Sequence, residues 1–238
     1  MFFRLLLRSV FVEIFWTKKD LQRFSVSWII TPLLRRFYPE NWKEIRASYC
    51  EKLFNTTSVA VPAIIGLIWN LEKKVKENVI TREELFYKVQ MLQAPLAAVG
   101  DMLFWGSIYP LLVVLELLLV GLGWKVFVVV AGIVWTLFLM AFRSFLLARS
   151  LAEGEEFFYR FSMFPYLKVS RFARIFTFLL ASVVVFMFPL TTSPSGLTFK
   201  LLGVIFGLFF TLMTEEVDVL ILSFLVYVIF LLLVRVKL

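Results

Sequence analysis

Histidine is absent from this sequence of 238 residues, and cysteine occurs once, at Cys50. Without an imidazole, the chain has no histidine for a metal site, a general base or a phosphohistidine. A single cysteine excludes both an internal disulfide and a metal site built on a cysteine cluster. A Walker loop, a dinucleotide fingerprint and a nucleophile elbow are absent as well. We therefore expect no catalytic residue, metal or cofactor on this chain.

Charged residues are scarce beside apolar ones. Apolar residues account for 61% of the sequence and charged residues for 18%, and the mean hydropathy is +0.89. An ordinary soluble domain is only about 45–50% apolar. Several uncharged stretches approach the ~20 residues that a helix needs to cross ~30 Å of hydrocarbon. The composition thus predicts an all-α polytopic membrane protein.

The net charge of +8 reflects membrane orientation better than nucleic-acid binding. The basic residues lie in the loops between apolar segments and are mixed with acidic ones. Residues 1–52 contain ten Lys/Arg against five Asp/Glu, and residues 143–174 contain six against three. Because cytoplasmic loops are enriched in Lys and Arg, both segments are predicted to be cytoplasmic. We expect the lipid bilayer as a partner and no nucleic acid.

Residues 1–54 are predicted to form an amphipathic arm in the cytoplasm or at the membrane interface. Phe, Leu and Trp side chains near the amino terminus would sit at the lipid headgroups, with Arg4 and Arg8 toward anionic lipid. Three helix starts are predicted where a capping side chain precedes an acidic residue by three positions. These pairs are Thr17 with Asp20, Asn41 with Glu44, and Thr81 with Glu84.

Residues 55–238 are predicted to form the membrane domain. Residues 55–110 are expected to be a broken-helix core, because polar residues, Pro and Gly interrupt the uncharged stretch 53–71 and favour a re-entrant or broken hairpin. Residues 111–238 are expected to be transmembrane helices, which brings the total to about four to five. The approximate bounds of these spans are 103–122, 126–142, 175–192, 201–214 and 219–234.

Residues 94–110, APLAAVGDMLFWGSIYP, place Asp101 among glycines and prolines beside a long apolar run. A carboxylate at membrane depth is costly and usually serves a transport pathway, so we favour a functional site. The alternative is that Asp101 caps a transmembrane helix. For Asn55 and Thr56 taken alone, a helix cap is the favoured interpretation. Asp101 and Trp105 offer the hydrogen bonds and the aromatic face that a sugar needs.

Three blocks follow one another along the chain: RRFYPENW (35–42), CEKLFNTTSVAVPAIIGLIWNLEKK (50–74) and APLAAVGDMLFWGS (94–107). In order and spacing they resemble the IID membrane component of the mannose/fructose/sorbose family of sugar phosphotransferase systems. The pattern of that family runs close to GPLAGxGDxxFWGT and follows a phenylalanine-asparagine-threonine element. The matching positions are Phe54, Asn55, Thr56, Pro95, Leu96, Ala97, Gly100, Asp101, Phe104, Trp105 and Gly106.

The resemblance implies a permease subunit, not an enzyme, in a multi-pass protein of the bacterial inner membrane. It implies pairing with a IIC membrane subunit in a higher hetero-oligomer, and translocation of a hexose-type sugar. Soluble IIA and IIB proteins would carry the phosphate, which agrees with the absence of histidine. The residues assigned to the sugar path are Asn55, Thr56, Asp101 and Trp105, and those assigned to a structural motif are Pro95, Gly100, Phe104 and Gly106.

The sequence offers two alternatives to transport. A divergent IID-like scaffold or regulator would keep the pairing surface without moving sugar. A membrane enzyme acting on lipid-linked sugar is disfavoured, because the sequence has no histidine, metal-ligand cluster or paired-carboxylate site. Adjacent reading frames for IIC, IIA and IIB would favour transport over the scaffold.

Overall fold

The computed structural model describes residues 1–162 and 164–187, and these residues are predominantly helical. Loops and a short 3-10 helix separate helices, and two isolated β-bridges lie in the loops. The all-α prediction is confirmed for the described part of the chain. Its α-helices are α1 (Phe2–Val10), α2 (Arg23–Phe37), α3 (Trp42–Glu51), α4 (Val61–Lys76), α5 (Arg82–Gly100), α6 (Tyr109–Gly121), α7 (Lys125–Glu153), α8 (Glu155–Ser162) and α9 (Tyr166–Met187).

Two helical runs in the described residues are long and apolar enough to cross a membrane, Arg82–Gly121 with 40 residues and Lys125–Glu153 with 29. The first joins α5, a π-helical segment at Asp101–Ile108, and α6. Residues 94–110 are therefore helical throughout, and the broken-helix core expected at residues 55–110 stays a prediction. Pro110 offers no N–H to the carbonyl four residues earlier, and the wider π winding lies at this point.

The remaining predicted spans are described in part or not at all. Helix α9 covers the first part of the span predicted at 175–192. The spans predicted at 201–214 and 219–234 lie outside the described residues. The total of four to five spans therefore stays a prediction.

The chain divides into two compact units. In the second unit, the hydroxyl oxygens of Ser107 and Ser170 are buried and lie 2.6 Å apart. The first unit contains the large hydrophobic cluster described next. Among the described residues, the first unit comprises Met1–Trp105, 129–162 and 164–167, and the second comprises Gly106–Val128 and 168–187.

Helix α4 supplies the centre of the first unit's core. Pro62 stands in its first turn, where the missing N–H breaks no hydrogen bond, so this proline begins the helix instead of interrupting it. Residues 53–71 thus contain a loop and the greater part of one buried helix, which corrects the predicted hairpin. The fully buried apolar residues of α4 are Val61, Ile64, Ile65, Leu67, Ile68 and Leu71.

Helix α1 packs into the same core. Leu5 and Ser9 are buried, and α1 contacts α2 and α4. The Arg8 guanidinium lies 4.7 Å from the ring centroid of Trp28 and donates to the Trp28 carbonyl oxygen at 2.8 Å. Arg8 thus contacts both a ring and a carbonyl of α2, and its predicted position toward anionic lipid stays a prediction. Another side of α1 exposes Phe3.

Two of the three predicted helix starts, at Asn41 and Thr81, are confirmed, and the one at Thr81 has a complete capping box. The Thr81 amide donates to Glu84 Oε2 at 2.8 Å, and the Glu84 amide donates to Thr81 Oγ1 at 3.1 Å. Asn41 precedes α3 but makes no capping hydrogen bond. Thr17 and Asp20 bond to each other in a turn, and α2 begins three residues later. The pair at Thr17 and Asp20 therefore stabilises a turn and not the first turn of a helix.

Glu72 is the most enclosed charge in the first unit, with a side chain that is 0% exposed. Arg82 donates to both of its carboxylate oxygens, at 2.7 and 3.2 Å. The Tyr38 and Tyr49 hydroxyls donate at 2.8 and 2.6 Å. These four bonds tie α4 to α3, to α5 and to the residue that follows α2. Buried charge is tolerated here because it is paired and hydrogen-bonded.

We expect Glu72→Ala to lower the free energy of unfolding by about 3–5 kcal/mol, because it leaves Arg82 without its buried partner. Denaturant titration in detergent measures this change. The control is Glu77→Ala at the end of the same helix, where the side chain is 54% exposed and pairs with Lys73 at 4.0 Å. An exposed pair of this kind contributes about 0–1 kcal/mol. Equal losses for the two variants would contradict the role of Glu72.

Alkaline pH should weaken the Glu72 cluster. Burial and the Glu72 carboxylate raise the pKa of Tyr38 from 10.0 to about 12. Between these two values the folded chain keeps a proton that the unfolded chain has lost, so stability falls as the pH rises through this window. Thermal unfolding between pH 9 and 12 should show a shallower alkaline loss for Tyr38→Phe than for the unmutated chain. Identical slopes would contradict the assignment.

Candidate functional site

The loop at residues 54–57 carries the phenylalanine-asparagine-threonine element and lies between α3 and α4. Two buried glutamines hold its backbone. The Asn55 amide donates to Gln93 Oε1 at 2.8 Å, and the Thr56 amide donates to Gln22 Oε1 at 3.0 Å. The Gln22 side-chain amide donates to the Thr56 carbonyl at 2.8 Å. Both the backbone amide and the backbone carbonyl of Thr56 are thus hydrogen-bonded to Gln22, which fixes the loop.

Gln22 also holds the residue before this pair. Its own backbone amide donates to the Phe54 carbonyl oxygen at 2.9 Å, and its side chain donates to Glu13 Oε1 at 2.8 Å. Gln22 is 2% exposed and Gln93 is 7% exposed. A buried backbone amide without an acceptor is costly, so these side chains compensate for the lack of secondary structure.

The side chains of the loop divide into exposed and buried groups. Asn55 is exposed, whereas Thr56 and Thr57 are 4% and 5% exposed. The Thr56 and Thr57 hydroxyl oxygens have no hydrogen-bond partner among the described residues. Helix α4 begins after Ala60 without a side-chain cap, so the interpretation of Asn55 and Thr56 as helix caps is wrong.

Gly100 brings this loop and the second motif together. An ideal Cβ placed on Gly100 would lie 2.0 Å from Thr57 Cγ2. Only a residue without a side chain permits so close an approach between α5 and the loop. The Asn55–Thr56 element and Asp101 therefore lie at neighbouring positions of the first unit, although 44 residues separate Thr56 from Gly100 in sequence.

Asp101 is the first residue of the π-helical segment and is exposed. Its amide donates to the carbonyls of Ala97 and Ala98, so the helix continues through this position. The alternative that Asp101 caps a helix start is therefore wrong. Segments of π-helix occur often at functional sites, because the wider turn moves side chains out of the ordinary helical register.

The other predicted residues follow Asp101 or precede it. Trp105 is 60% exposed, and Gly106 next to it is exposed as well. Phe104 is 4% exposed, with its ring centroid 5.8 Å from that of Phe142. Pro95 is an exposed residue inside α5. The π-helical segment thus has a buried side that carries Phe104 and an exposed side that carries Trp105.

Arg143 of α7 is a further buried group beside the loop. It donates to the Ser58 carbonyl oxygen at 2.6 Å and to the Ser9 carbonyl oxygen at 3.2 Å. Its exposure is 8%. The guanidinium thus links α7 to the loop and to α1, and supplies positive charge next to it.

Gln22, Gln93 and Arg143 were not predicted as site residues. Isolated glutamines carry no spacing signal, and their role depends on a loop that lies 34 or 38 residues away along the chain. Arg143 closes an apolar run, which is the usual place of an arginine at a membrane boundary. Its contacts become visible only in the folded structure.

A family model described as "PTS system mannose/fructose/sorbose family IID component" matches residues 1–237 of this chain. The mannose-specific EIID component of Escherichia coli K12 is 29% identical over 107 residues, covering 44% of this chain and 38% of that protein. The mannose-specific EIID component of Escherichia coli O6:H1 has the same identity over 44% of this chain and 37% of its own. The match spans less than two fifths of the length of these curated relatives.

Two solved structures share the fold. One, described as a membrane protein, has a TM-score of 0.70 and 23% identity, covering 77% of this chain and 68% of that one. The other is a cryo-EM structure of the mannose transporter ManYZ in complex with microcin E492. It has a TM-score of 0.60 and 22% identity, with the same coverage of 77% and 68%. The predicted all-helical membrane-protein fold is confirmed for the described part.

We expect Gln93→Ala to lower the free energy of unfolding by about 1–3 kcal/mol, because the Asn55 amide loses its acceptor. Hydrogen exchange of a peptide covering residues 54–57 should accelerate in the same variant. The matched control is Gln90→Ala, one turn earlier on α5 at an exposed position, which should stay within about 0.5 kcal/mol. Unchanged exchange in Gln93→Ala would show that Gln93 does not hold the loop.

Proposed function

Because this chain belongs to the mannose/fructose/sorbose family of phosphotransferase-system IID components, we propose that it is a permease subunit that pairs with a IIC subunit. The pair translocates a hexose-type sugar. Soluble IIA and IIB proteins phosphorylate that sugar, and this chain carries no catalytic group. A sugar transporter subunit of this family is a membrane protein, which agrees with the two long apolar helical runs.

The observation that carries the proposal is the contact between Gly100 and Thr57. It makes neighbours of two motif segments that are far apart in sequence. One segment supplies Asn55, whose side chain is exposed, and the other supplies the exposed carboxylate of Asp101. Sugars are bound by hydrogen-bonding groups held on rigid elements, and both segments are held by buried partners.

In the proposed site, Asn55 and Asp101 hydrogen-bond sugar hydroxyls, and Trp105 offers its ring as a stacking face. Thr56 contributes by holding the loop in place beside Asn55 through its backbone bonds to Gln22. Pro95, Gly100, Phe104 and Gly106 shape the helix that presents them. These residues form one wall of the sugar path, and the IIC subunit supplies the other.

The proposed location is the bacterial inner membrane, with residues 1–54 forming an arm on the cytoplasmic side and residues 55–238 the membrane domain. The exposed apolar side chains of the arm support a place at the interface. Phe3 is 66% exposed and Trp16 is 44% exposed, and Arg4 is exposed beside them. Such a mixture of aromatic and basic residues suits the headgroup region of a bilayer.

A hexose uptake assay tests the proposal in cells that express this chain with its cognate IIC, IIA and IIB proteins. Phosphoenolpyruvate-dependent uptake should fall about tenfold or more in Asp101→Asn and in Asn55→Ala, since each loses a hydrogen bond worth ~1.4 kcal/mol or more. Unchanged uptake in both variants would remove these residues from the site.

The controls are one exposed asparagine and one exposed acidic residue that lie outside the proposed site. They are Asn41→Ala and Glu83→Gln, and both should leave uptake unchanged. Absence of uptake by the unmutated complex on every hexose tested would contradict transport. It would favour a IID-like scaffold or regulatory subunit, which pairs with IIC without moving sugar.

A further inference from the structure

Thr57 packs so closely against Gly100 that a side chain at position 100 has no room. An ideal Cβ on Gly100 would lie 2.0 Å from Thr57 Cγ2, 2.7 Å from Thr57 Cβ and 3.1 Å from Thr57 Oγ1. Real Cβ atoms essentially never approach other heavy atoms within 3.0 Å. The contact therefore limits the size of both residues at once.

Thr57 has little freedom to move away. It is 5% exposed, and its carbonyl oxygen accepts from the Ala60 amide at 2.9 Å. The backbone amide and carbonyl of the preceding residue, Thr56, are both hydrogen-bonded to the Gln22 side chain. Rotation about χ1 does not remove the conflict with a larger residue at 100, because Thr57 Cβ itself would stay at 2.7 Å.

The neighbour of Gly100 is the first residue of the π-helical segment, Asp101. With Thr57 in its present rotamer, a Cβ at position 100 lies 2.0 Å from Thr57 Cγ2, and reaching 3.0 Å requires the loop and the helix to move apart by about 1 Å. That shift separates Asp101 from Asn55. Misplacement of a binding group by ~1 Å is enough to lower activity about a hundredfold in other sites.

We propose that Thr57 is a positioning residue for the sugar path. Its contact with Gly100 sets the distance between Asn55 on the loop and Asp101 on the π-helical segment. The inference rests on the proposed transport function for its consequence, but the distance itself exists whether or not the chain transports sugar. Thr57 contacts no sugar in this assignment, and it acts through the two residues whose spacing it sets.

A rescue experiment tests the contact through uptake by the complete complex. Gly100→Ala should raise the KM for hexose uptake about tenfold or more, with assembly onto IIC unchanged. Thr57→Ala removes the Cγ2 and Oγ1 atoms and should raise KM less. The double variant leaves only the 2.7 Å conflict between two Cβ atoms, which a movement of a few tenths of an ångström relieves. Its KM should therefore lie well below that of Gly100→Ala.

The second measurement does not depend on transport. In a Cys50→Ser background, which contains no other cysteine, spin labels are attached at Asn55→Cys and Asp101→Cys in the complex with IIC. Pulsed electron resonance then measures the distance between the labels. Gly100→Ala should shift or broaden that distance by about 1 Å or more, and the added Thr57→Ala should reverse the change.

Gly132→Ala is the control, because an ideal Cβ on Gly132 has no neighbouring atom within 4 Å. It should change neither KM nor the label distance. If Gly100→Ala does not assemble, Thr57→Ala carries the test, with a broader distance distribution and a raised KM as the expected result.

The outcomes separate the two levels of the proposal. An unchanged label distance in Gly100→Ala, or no recovery in the double variant, overturns the role of Thr57. A shifted distance with an unchanged KM also overturns it as a positioning residue for transport. If the unmutated complex takes up no hexose, the proposed function fails, while the label distances still decide whether the contact sets the spacing.

Discussion

The loop at residues 54–57 sets the main constraint on this structure, because its backbone runs through a buried region without forming a helix or a sheet. Its buried backbone N–H and C=O groups therefore need partners from elsewhere in the chain. Gln22 and Gln93 supply those partners from either side of α3 and α4, and Arg143 bonds the carbonyl of Ser58 just beyond the loop. These side chains thus link α1, α5 and α7 of the first unit to this part of the chain.

The second constraint is steric and acts on the helical run Arg82–Gly121. A glycine at position 100 lets this run approach the loop, and the π-helical winding begins at the next residue. The two features together carry Asp101 to an exposed position beside a rigid loop, while Phe104 stays buried. The segment therefore carries both the exposed residues of the proposed site and a residue that packs in the core.

Charges inside the first unit follow a consistent rule. Glu72 is enclosed by Arg82 and two tyrosines, and Arg143 bonds two backbone carbonyls. Both groups link elements that are distant in sequence, so each holds several helices in register. On the surface of the same unit, the Glu155 carboxylate accepts hydrogen bonds from the ammonium groups of Lys74 and Lys88. Burial raises the pKa of Glu155. The hydrogen bonds and charges of the two lysines lower this pKa by more than burial raises it, so the pKa lies below its usual value.

Composition and local pattern were enough to predict an all-helical membrane protein, the capping box at Thr81, and the family resemblance carried by the motif residues. These properties depend on residues close together in sequence. The helical continuity of residues 94–110 was not predicted, because Pro and Gly weaken a helix locally, and the π-helical winding at Asp101–Ile108 is visible only in the structure. Tertiary structure alone decided that Thr57 meets Gly100 and that Gln22 holds Thr56. Such contacts join positions tens of residues apart, and their energy exists only after the helices have packed.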